Sequence, residues 1–472
     1  MSRVMSKLTL LSHTRRNIRN VFTVFMRTPR GKWLLRLLAV LRTVLTWWMF
    51  SELLHYCYFK IKLHTVQKLT KRPVFSKERR LEVKKKMYNA FKLAHHSDKY
   101  FDALRDYFTG WFHHCEFEKL HRDNIKEYIC ANTLYKLLPD VTDPDELAEL
   151  DRQLELVESL MEYKFPSGKN LDLEFVSHTR EPVRALYRPL ALYLLFWFGK
   201  SIIGNVLYLR GFKFRFSGQM RYWHRKPKNA KAGKPPIVFF HGISPGMVPY
   251  YPLLMKLGRE RELFIVELPW VSMKAWATVP EPESFVNCID LMLHRHKHET
   301  ACIAGHSYGT VIAAYILKYR PRIVASMVLL DPISILVSLP NVCMNFLYSQ
   351  ATYMKKYKLS YFQIFVLAAF TYISAREIGI AETLCRHFWW YEILLLAEDL
   401  PRNTTVVLSG KDHIVPSGKI RRYLTRWNEI QMKTQADPHT IRVQVRPGLM
   451  HGGFITSMTE ATKVASLILT YH

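Results

Sequence analysis

Cysteine and glycine are scarce in this chain, and their scarcity excludes two classes of protein. The 472 residues include 19 glycines and seven cysteines, and the cysteines are widely and irregularly spaced without a C-x-x-C pair. A disulfide scaffold needs dense, paired cysteines and a collagen needs glycine at every third position, so the sequence fits neither. The spacing also lacks the pattern of a zinc site, and buried thiols in a reducing, intracellular compartment are expected.

Acidic residues are missing from the start of the chain. The first is Glu52, and the first hundred residues hold 23 Lys and Arg against four Asp and Glu, which is +19 of a formal net charge of +29. This local excess indicates a partner for the N-terminal region, such as an anionic membrane surface, an import receptor or nucleic acid. Because the chain has no zinc finger, helix-turn-helix or aromatic-basic sheet motif, we expect no nucleic-acid partner.

The basic N-terminal region is predicted to cover residues 1–75. Within it, residues 14–27 place four apolar side chains on one helical face beside several arginines. Three interpretations stay open, namely a mitochondrial transit peptide, an interfacial helix on anionic lipid and a disordered basic tail.

Two apolar runs, residues 33–59 and 189–211, are long enough to span a bilayer. Charged residues interrupt both: Arg36, Arg42 and Glu52 in the first, and Lys200 in the second. Each run is therefore compatible with a membrane helix, a re-entrant or interfacial helix, or a helix packed on the rest of the protein. Residues 76–211 are predicted to be a helical region, in which the charged run Lys84–Lys86 forms a solvated face.

From residue 212 onward, short apolar runs of strand length alternate with helical segments. Fully apolar strands that alternate with helices predict a parallel sheet covered on both faces. Ligand chemistry is then expected at the carboxyl ends of the strands.

One strand end carries the motif Gly305-His306-Ser307-Tyr308-Gly309, with a predicted strand before it and a predicted helix after it. This is G-x-S-x-G in the context that a nucleophile elbow requires, with Gly305 and Gly309 allowing the sharp turn. The motif predicts that Ser307 is a catalytic nucleophile.

A nucleophilic serine needs a base and an acid that orients the base, in the chain order Ser, Asp or Glu, His. Asp412, in SGKDHIVP, follows the strand TTVVLS, and His451, in RPGLMHGGF, follows the strand IRVQV. We expect His451 to accept the serine proton and Asp412 to hold the imidazole. Asp331 also ends a strand and stays open as an alternative acid. The run HRHKH at 294–298 is predicted to be a solvated helix end, so neither a metal nor a cofactor is expected.

With these motifs, the C-terminal half resembles an α/β-hydrolase of the lipase and esterase type, over about residues 212–332 and 403–472. The resemblance implies a mostly parallel eight-stranded sheet and a Ser–Asp–His triad. It also implies that His241-Gly242 is an oxyanion motif, so that Gly242 precedes the donor amide of Ile243 and the second donor is the Tyr308 amide. The chain is also similar to uncharacterised membrane-associated eukaryotic proteins with this domain.

An insertion at about residues 333–402 lies where the superfamily carries a cap and is rich in aromatic residues and methionine. The α/β-hydrolase domain is thus expected at 212–472, with a helical cap or lid inside it. The sequence predicts a serine hydrolase on an intracellular membrane that cleaves an acyl ester, with a lipid as the expected substrate. An acyltransferase with the same triad and a non-catalytic membrane scaffold remain the alternatives.

Overall fold

The computed structural model describes residues 28–71, 75–96, 99–227, 233–348 and 372–471. The predicted amphipathic segment 14–27 and much of the predicted cap lie outside these residues. By its internal contacts the chain divides into two units. The first comprises residues up to Lys62 together with Tyr187–Leu192, and the second comprises Leu63–Leu186 with Tyr193–His472.

The first unit is built around helix α1 (Pro29–Thr65), which contains the first apolar run. Large apolar side chains along it are exposed, including Trp33 at 65% and Trp47 at 64%. Glu52, the acid that interrupts the run, accepts hydrogen bonds from the Leu190 amide at 3.1 and 3.2 Å and from the Tyr187 hydroxyl. The charge in the middle of this apolar helix is therefore satisfied, because it caps the start of the next apolar helix, α6 (Leu190–Leu209).

The second unit begins with a helical part. Its helices are α2 (Lys77–Ala94), α3 (Tyr100–Trp111), α4 (Arg122–Thr133) and α5 (Pro144–Met161). Ser76 and Asp143 cap α2 and α5, because their side chains accept backbone amides in the first turn. Leu120, Ile125, Leu150 and Leu154 are fully buried between these helices, which gives this part a core of its own.

An eight-stranded sheet follows. The strands are β1 (Lys213–Ser217), β2 (Met220–Arg225), β3 (Ile237–Phe240), β4 (Leu263–Val266), β5 (Ala301–His306), β6 (Val324–Leu330), β7 (Thr404–Ser409) and β8 (Arg442–Arg446). Their order is β1-β2-β4-β3-β5-β6-β7-β8. Strand β2 runs antiparallel to both neighbours, and every other described pair is parallel.

Helices cover both faces of the sheet, which is why its central strands are apolar without alternation. Val238 and Phe240 pack into one core, whereas Ile237 and Phe239 pack into the other, and all four side chains are fully buried. The covering and connecting helices are α7 (Tyr251–Glu260), α8 (Pro282–Arg295), α9 (Gly309–Tyr319), α10 (Pro340–Phe346), α11 (Ile378–Arg386), α12 (Trp390–Ile393), α13 (Ser417–Thr434) and α14 (Met458–Tyr471). This order and connectivity are those of the α/β-hydrolase fold, so the predicted fold class is confirmed.

Helix α11 belongs to the predicted cap and is attached by a buried arginine. The guanidinium of Arg386, 1% exposed, donates to the backbone carbonyls of Val66, Gln67, Thr179 and Glu181 as well as to that of Cys385. These carbonyls come from three separate segments of the second unit, so one side chain holds the end of α11 against two distant stretches of the chain.

Candidate active site

Ser307 lies in the sharp turn between β5 and α9, with a backbone φ of 51°. A positive φ costs a residue with a Cβ roughly 1–2 kcal/mol, so the surrounding structure must hold it. The Ser307 amide donates to Leu330 O at 2.9 Å, and the Ser307 carbonyl accepts from Thr310. These bonds fix the turn and present the hydroxyl at the carboxyl edge of the sheet.

The glycines of the two motifs are required by close backbone approaches. A Cβ on Gly309 would lie 2.2 Å from Phe240 O, and one on Gly305 would lie 2.6 Å from Gly309 O. A Cβ on Gly242 would lie 2.9 Å from the Ser307 Cβ. The three positions tolerate only glycine because the elbow packs directly against the end of β3.

The three residues of the predicted triad form one chain of hydrogen bonds. His451 Nε2 lies 2.9 Å from Ser307 Oγ, and His451 Nδ1 lies 2.7 Å from Asp412 Oδ2. The other oxygen of Asp412 accepts the amides of Ile414 and Val415, each at 2.8 Å. The carboxylate is buried and held on both oxygens, so its orientation toward the imidazole is set by its own loop.

The pKa of His451 lies above its usual value. Burial lowers this pKa, but the charge of Asp412 and its hydrogen bond raise it by more. The carboxylate of Asp412 therefore stabilises the protonated form of this imidazole.

Asp331 lies close to this chain of bonds but has different partners. Its carboxylate accepts the Ser409 amide at 2.7 Å, the Ser409 hydroxyl at 2.8 Å and the Gly452 amide at 2.8 Å. Burial, followed by the negative charge of Asp412, raises its pKa to about 6. The structure thus places Asp412 against the imidazole and Asp331 against the backbone beside His451.

The two expected oxyanion donors are the amides of Ile243 and Tyr308, which both lie next to residues of the elbow or in contact with it. Ile243 follows the Gly242 that touches the elbow, and Tyr308 follows the serine itself. Within the described part of the chain, neither amide donates to a protein acceptor. Both amides therefore remain available to an external acceptor.

Tyr250 supports the site and was missed by the sequence reasoning. Its hydroxyl accepts the Gly242 amide at 2.9 Å and forms a hydrogen bond of 2.6 Å with His306 Nδ1. Burial lowers the pKa of His306 well below its usual value, so this bond is made by a neutral imidazole. Tyr250 therefore joins the loop after β3 that carries Gly242 and Ile243 (the expected oxyanion loop) to His306, the residue before Ser307. No sequence motif marks Tyr250, because its partner His306 lies on a different strand, β5.

A cavity of about 420 Å³ opens onto Ser307 and His451. Apolar side chains from the cap and from the strand-end loops form most of its wall; they are Ile333, Val342, Phe346, Leu384, Phe388 and Ile414. Helices α10 and α11 supply part of this wall directly, and the volume suits a small ligand or an acyl chain.

The HRHKH run lies at the end of α8, where His294, Arg295 and Lys297 are exposed and the two remaining histidines are half-buried. His298 Nε2 lies 3.2 Å from Glu262, and His224 pairs with the same carboxylate at 2.9 Å. Burial lowers the pKa of the neighbouring His296 to about 4. His224, Glu262 and His296 place possible ligand atoms within 4.8 Å of one another. The sequence did not reveal these contacts because Glu262 and His224 lie far from the HRHKH run in the chain.

The sequence matches no family model and no curated protein. Solved structures resemble the chain in fold. Naproxen esterase from Bacillus subtilis shares 14% identity over 55% of this chain and 92% of its own, with a TM-score of 0.36. A bacterial membrane phospholipase A shares 13% over 60% and 94%, with a TM-score of 0.39. Carboxylesterase CesB from Bacillus subtilis shares 13% over 59% and 97%, with a TM-score of 0.38. The fold assignment rests on the strand order and the elbow rather than on these likenesses.

Proposed function

We propose that the protein is a serine hydrolase that cleaves an acyl ester through Ser307, His451 and Asp412. The observation that carries this proposal is the continuous hydrogen-bond chain from Asp412 through His451 to Ser307, at 2.7 and 2.9 Å. Geometry of this kind activates the Ser307 hydroxyl as a nucleophile. His451 Nε2 can accept the hydroxyl proton, because Asp412 holds the imidazole in the tautomer that leaves Nε2 free of a proton.

In the proposed reaction, Ser307 Oγ attacks the ester carbonyl carbon while His451 Nε2 accepts the hydroxyl proton. The amides of Ile243 and Tyr308 bind the carbonyl oxygen as it gains charge. The tetrahedral intermediate expels the alcohol, which takes the proton back from His451. Water then gives a proton to His451 as it attacks the acyl-enzyme. The second tetrahedral intermediate expels Ser307 Oγ, which takes that proton from His451, and the carboxylic acid is released.

The apolar cavity and the apolar helices support a lipid as the substrate and a membrane as the site of action. Helices α1 and α6 are both long and apolar enough to cross a bilayer. On α6, Trp197 is 64% exposed and Phe198 is 58% exposed, whereas the ammonium of Lys200 donates to the carbonyl of Ser272. Exposed aromatic area on this scale is characteristic of surfaces that meet lipid or another protein.

A fluorophosphonate probe tests the catalytic proposal because it reacts with activated serines. We expect the wild-type protein to be labelled and Ser307→Ala to remain unlabelled. Ser284→Ala, which removes an exposed hydroxyl at the start of α8, is the matched control and should label as wild type does. Failure of the wild type to label, or equal labelling of Ser307→Ala, would show the proposal to be wrong.

Esters that differ only in acyl length test the substrate class. The proposal requires turnover of long-chain, membrane-presented esters, and activity confined to short, water-soluble esters would contradict it. Product analysis with a competing alcohol separates hydrolysis from transfer, because an acyltransferase gives a new ester in place of the free acid.

Deletion of residues 1–62 tests membrane attachment. It removes α1 up to the boundary of the second unit and keeps Val66 and Gln67, whose carbonyls bind Arg386. We expect more of the truncated protein in the soluble fraction than of the full chain. If the truncated protein stays in the membrane fraction as the full chain does, α1 is not needed for membrane attachment, and the remaining apolar surface, including α6, is sufficient.

A further inference from the structure

A second cavity, of about 500 Å³, lies among the helices of the second unit and contains none of the triad residues. Its wall consists mostly of aromatic and aliphatic side chains; they include Leu104, Tyr107, Phe108, Trp111 and Ile129. Helices α2, α3, α4 and α5 all contribute to it. Its volume falls in the range of about 300–1,000 Å³ that is usual for small-molecule sites.

One lysine reaches into this apolar surrounding. The ammonium of Lys84 donates to Thr133 Oγ1 and to Gln153 Oε1, and it takes part in none of the ion pairs of the described residues. An ammonium has three protons, so these two neutral acceptors leave one for a further acceptor. The predicted solvated face at Lys84–Lys86 is therefore wrong for Lys84.

The chemistry of Lys84 favours an anion beside it. Desolvation by burial lowers its pKa to about 7, although the charge of Glu149 acts in the opposite direction. Glu149 also lines the cavity, but its two carboxylate oxygens accept from Arg152 and Gln153 rather than from Lys84. A buried cation without an ion-pair partner is stabilised when a negative group binds next to it.

We propose that this cavity binds a single-chain amphiphile with an anionic head, specifically a long-chain carboxylate. The carboxylate pairs with Lys84, and the alkyl chain lies among the aromatic side chains of α3 and α4. The lining leucines Leu81 and Leu156 are 46% and 57% exposed, so an apolar surface leads from solvent toward the lysine.

The cavity also adjoins the cap of the catalytic domain. Leu336, Ser338 and Leu339 form part of its wall, and the next residues form α10, whose side chains line the catalytic cavity. Helix α3 packs on the start of α10 so closely that a Cβ on Gly110 would lie 2.5 Å from Pro340 Cγ. A carboxylic acid is the product class of the proposed hydrolysis. A product molecule bound in this site would therefore contact the segment that leads into α10, and through it would act on the wall of the catalytic cavity; this last step rests on the proposed function.

Photo-crosslinking tests the site without any need for catalysis. The full-length Ser307→Ala protein is incubated with a C16 fatty acid that carries a diazirine on its chain, irradiated, digested and mapped by mass spectrometry. We expect crosslinks in the peptides of α3 and α4, whose side chains would surround the alkyl chain. Crosslinks confined to the segments around the catalytic cavity, or none at all, would overturn the proposal. Because no turnover is required, failure of the proposed hydrolase activity would leave this result interpretable.

Charge recognition is tested with a matched pair of lysine variants on the same helix. Lys84→Met should weaken binding of the carboxylate about tenfold or more, since a charge-assisted hydrogen bond is lost, and should change binding of the corresponding fatty alcohol by less than about twofold. Lys77→Met, at the exposed start of α2, should bind both ligands as wild type does. Equal loss for both ligands, or no loss for either, would contradict carboxylate recognition by Lys84.

Leu156→Trp provides a second variant whose side chain is exposed, so it tests the site even when Lys84→Met does not fold. A larger side chain at the opening should lower the affinity for the fatty acid and for the alcohol alike. Unchanged affinity for both would show that the ligand does not enter between α2 and α5.

Discussion

Asp412 and Asp331 both lie near His451, and replacing each by asparagine should separate their roles. The Asp412 carboxylate accepts the imidazole proton at Nδ1, whereas Asp331 accepts the Gly452 amide and two groups of Ser409. Asparagine has nearly the same shape as aspartate but carries no charge. The two variants therefore test function at nearly constant volume.

The asparagine amide in Asp412→Asn can take two orientations, and both are unfavourable. If its NH₂ faces His451, the imidazole must adopt the wrong tautomer to accept from it. If its NH₂ faces the amides of Ile414 and Val415, those donors lose their acceptor, and in both orientations the imidazolium loses its counter-charge. Loss of this function lowers kcat by about 10⁴-fold in serine hydrolases of this arrangement, equivalent to ~5.5 kcal/mol. We expect a loss of that order here.

In Asp331→Asn, the imidazole keeps its carboxylate. One amide donor, from either Ser409 or Gly452, then faces the side-chain NH₂ and loses its acceptor. An unsatisfied buried donor costs about 1–3 kcal/mol of stability, so the variant should unfold at lower temperature. We expect its kcat to fall by no more than about tenfold, because the loop that carries His451 is loosened but the triad is intact.

The assay is the initial rate on a short p-nitrophenyl ester, with Ser307→Ala as the blank and thermal unfolding measured on each variant. Asp412→Asn should be inactive and well folded, and Asp331→Asn should be active and less stable. A 10³-fold or larger loss in Asp331→Asn together with a small loss in Asp412→Asn would refute the assignment of the acid.

Three further predictions concern the same site. His451 must be neutral to act as a base and its pKa is raised, so kcat/KM should fall as pH drops through a value above ~6.5, and a pH–rate profile checks this. Gly309→Ala places a Cβ 2.2 Å from Phe240 O, so it should abolish labelling by the fluorophosphonate and lower the unfolding temperature. Tyr250→Phe removes the hydroxyl that orders the oxyanion loop, and it should lower kcat about tenfold with little effect on KM, as steady-state kinetics will show.

The sequence was sufficient for the fold class and for placing Ser307, because an elbow is a local feature. Its glycines, the strand before it and the helix after it all lie within about 20 residues, and each has one physical requirement. The order of Ser307, Asp412 and His451 followed from the strand ends on which they occur. Parallel strands carry their carboxyl ends to one edge, so residues far apart in the chain were expected there together.

The sequence could not show which of Asp331 and Asp412 lies against His451, because both follow strands that end at the same edge. The roles of Tyr250 and Lys84 were not predicted for a related reason. Each makes a hydrogen bond to a residue 49 or more positions away in the chain, Tyr250 to His306 and Lys84 to Thr133. Local patterns of charge and polarity carry no information about such partners, and a lysine in a charged run is usually solvated.

Arg386 has a consequence for the shape of the cavity that opens onto Ser307. Swinging α11 outward would break four hydrogen bonds from a buried guanidinium to carbonyls of two other segments. Leu384 and Phe388, on either side of Arg386, therefore present a wall whose shape is set before the substrate arrives. For the proposed hydrolysis, this means that discrimination between acyl groups on this side of the cavity would be preorganised rather than induced.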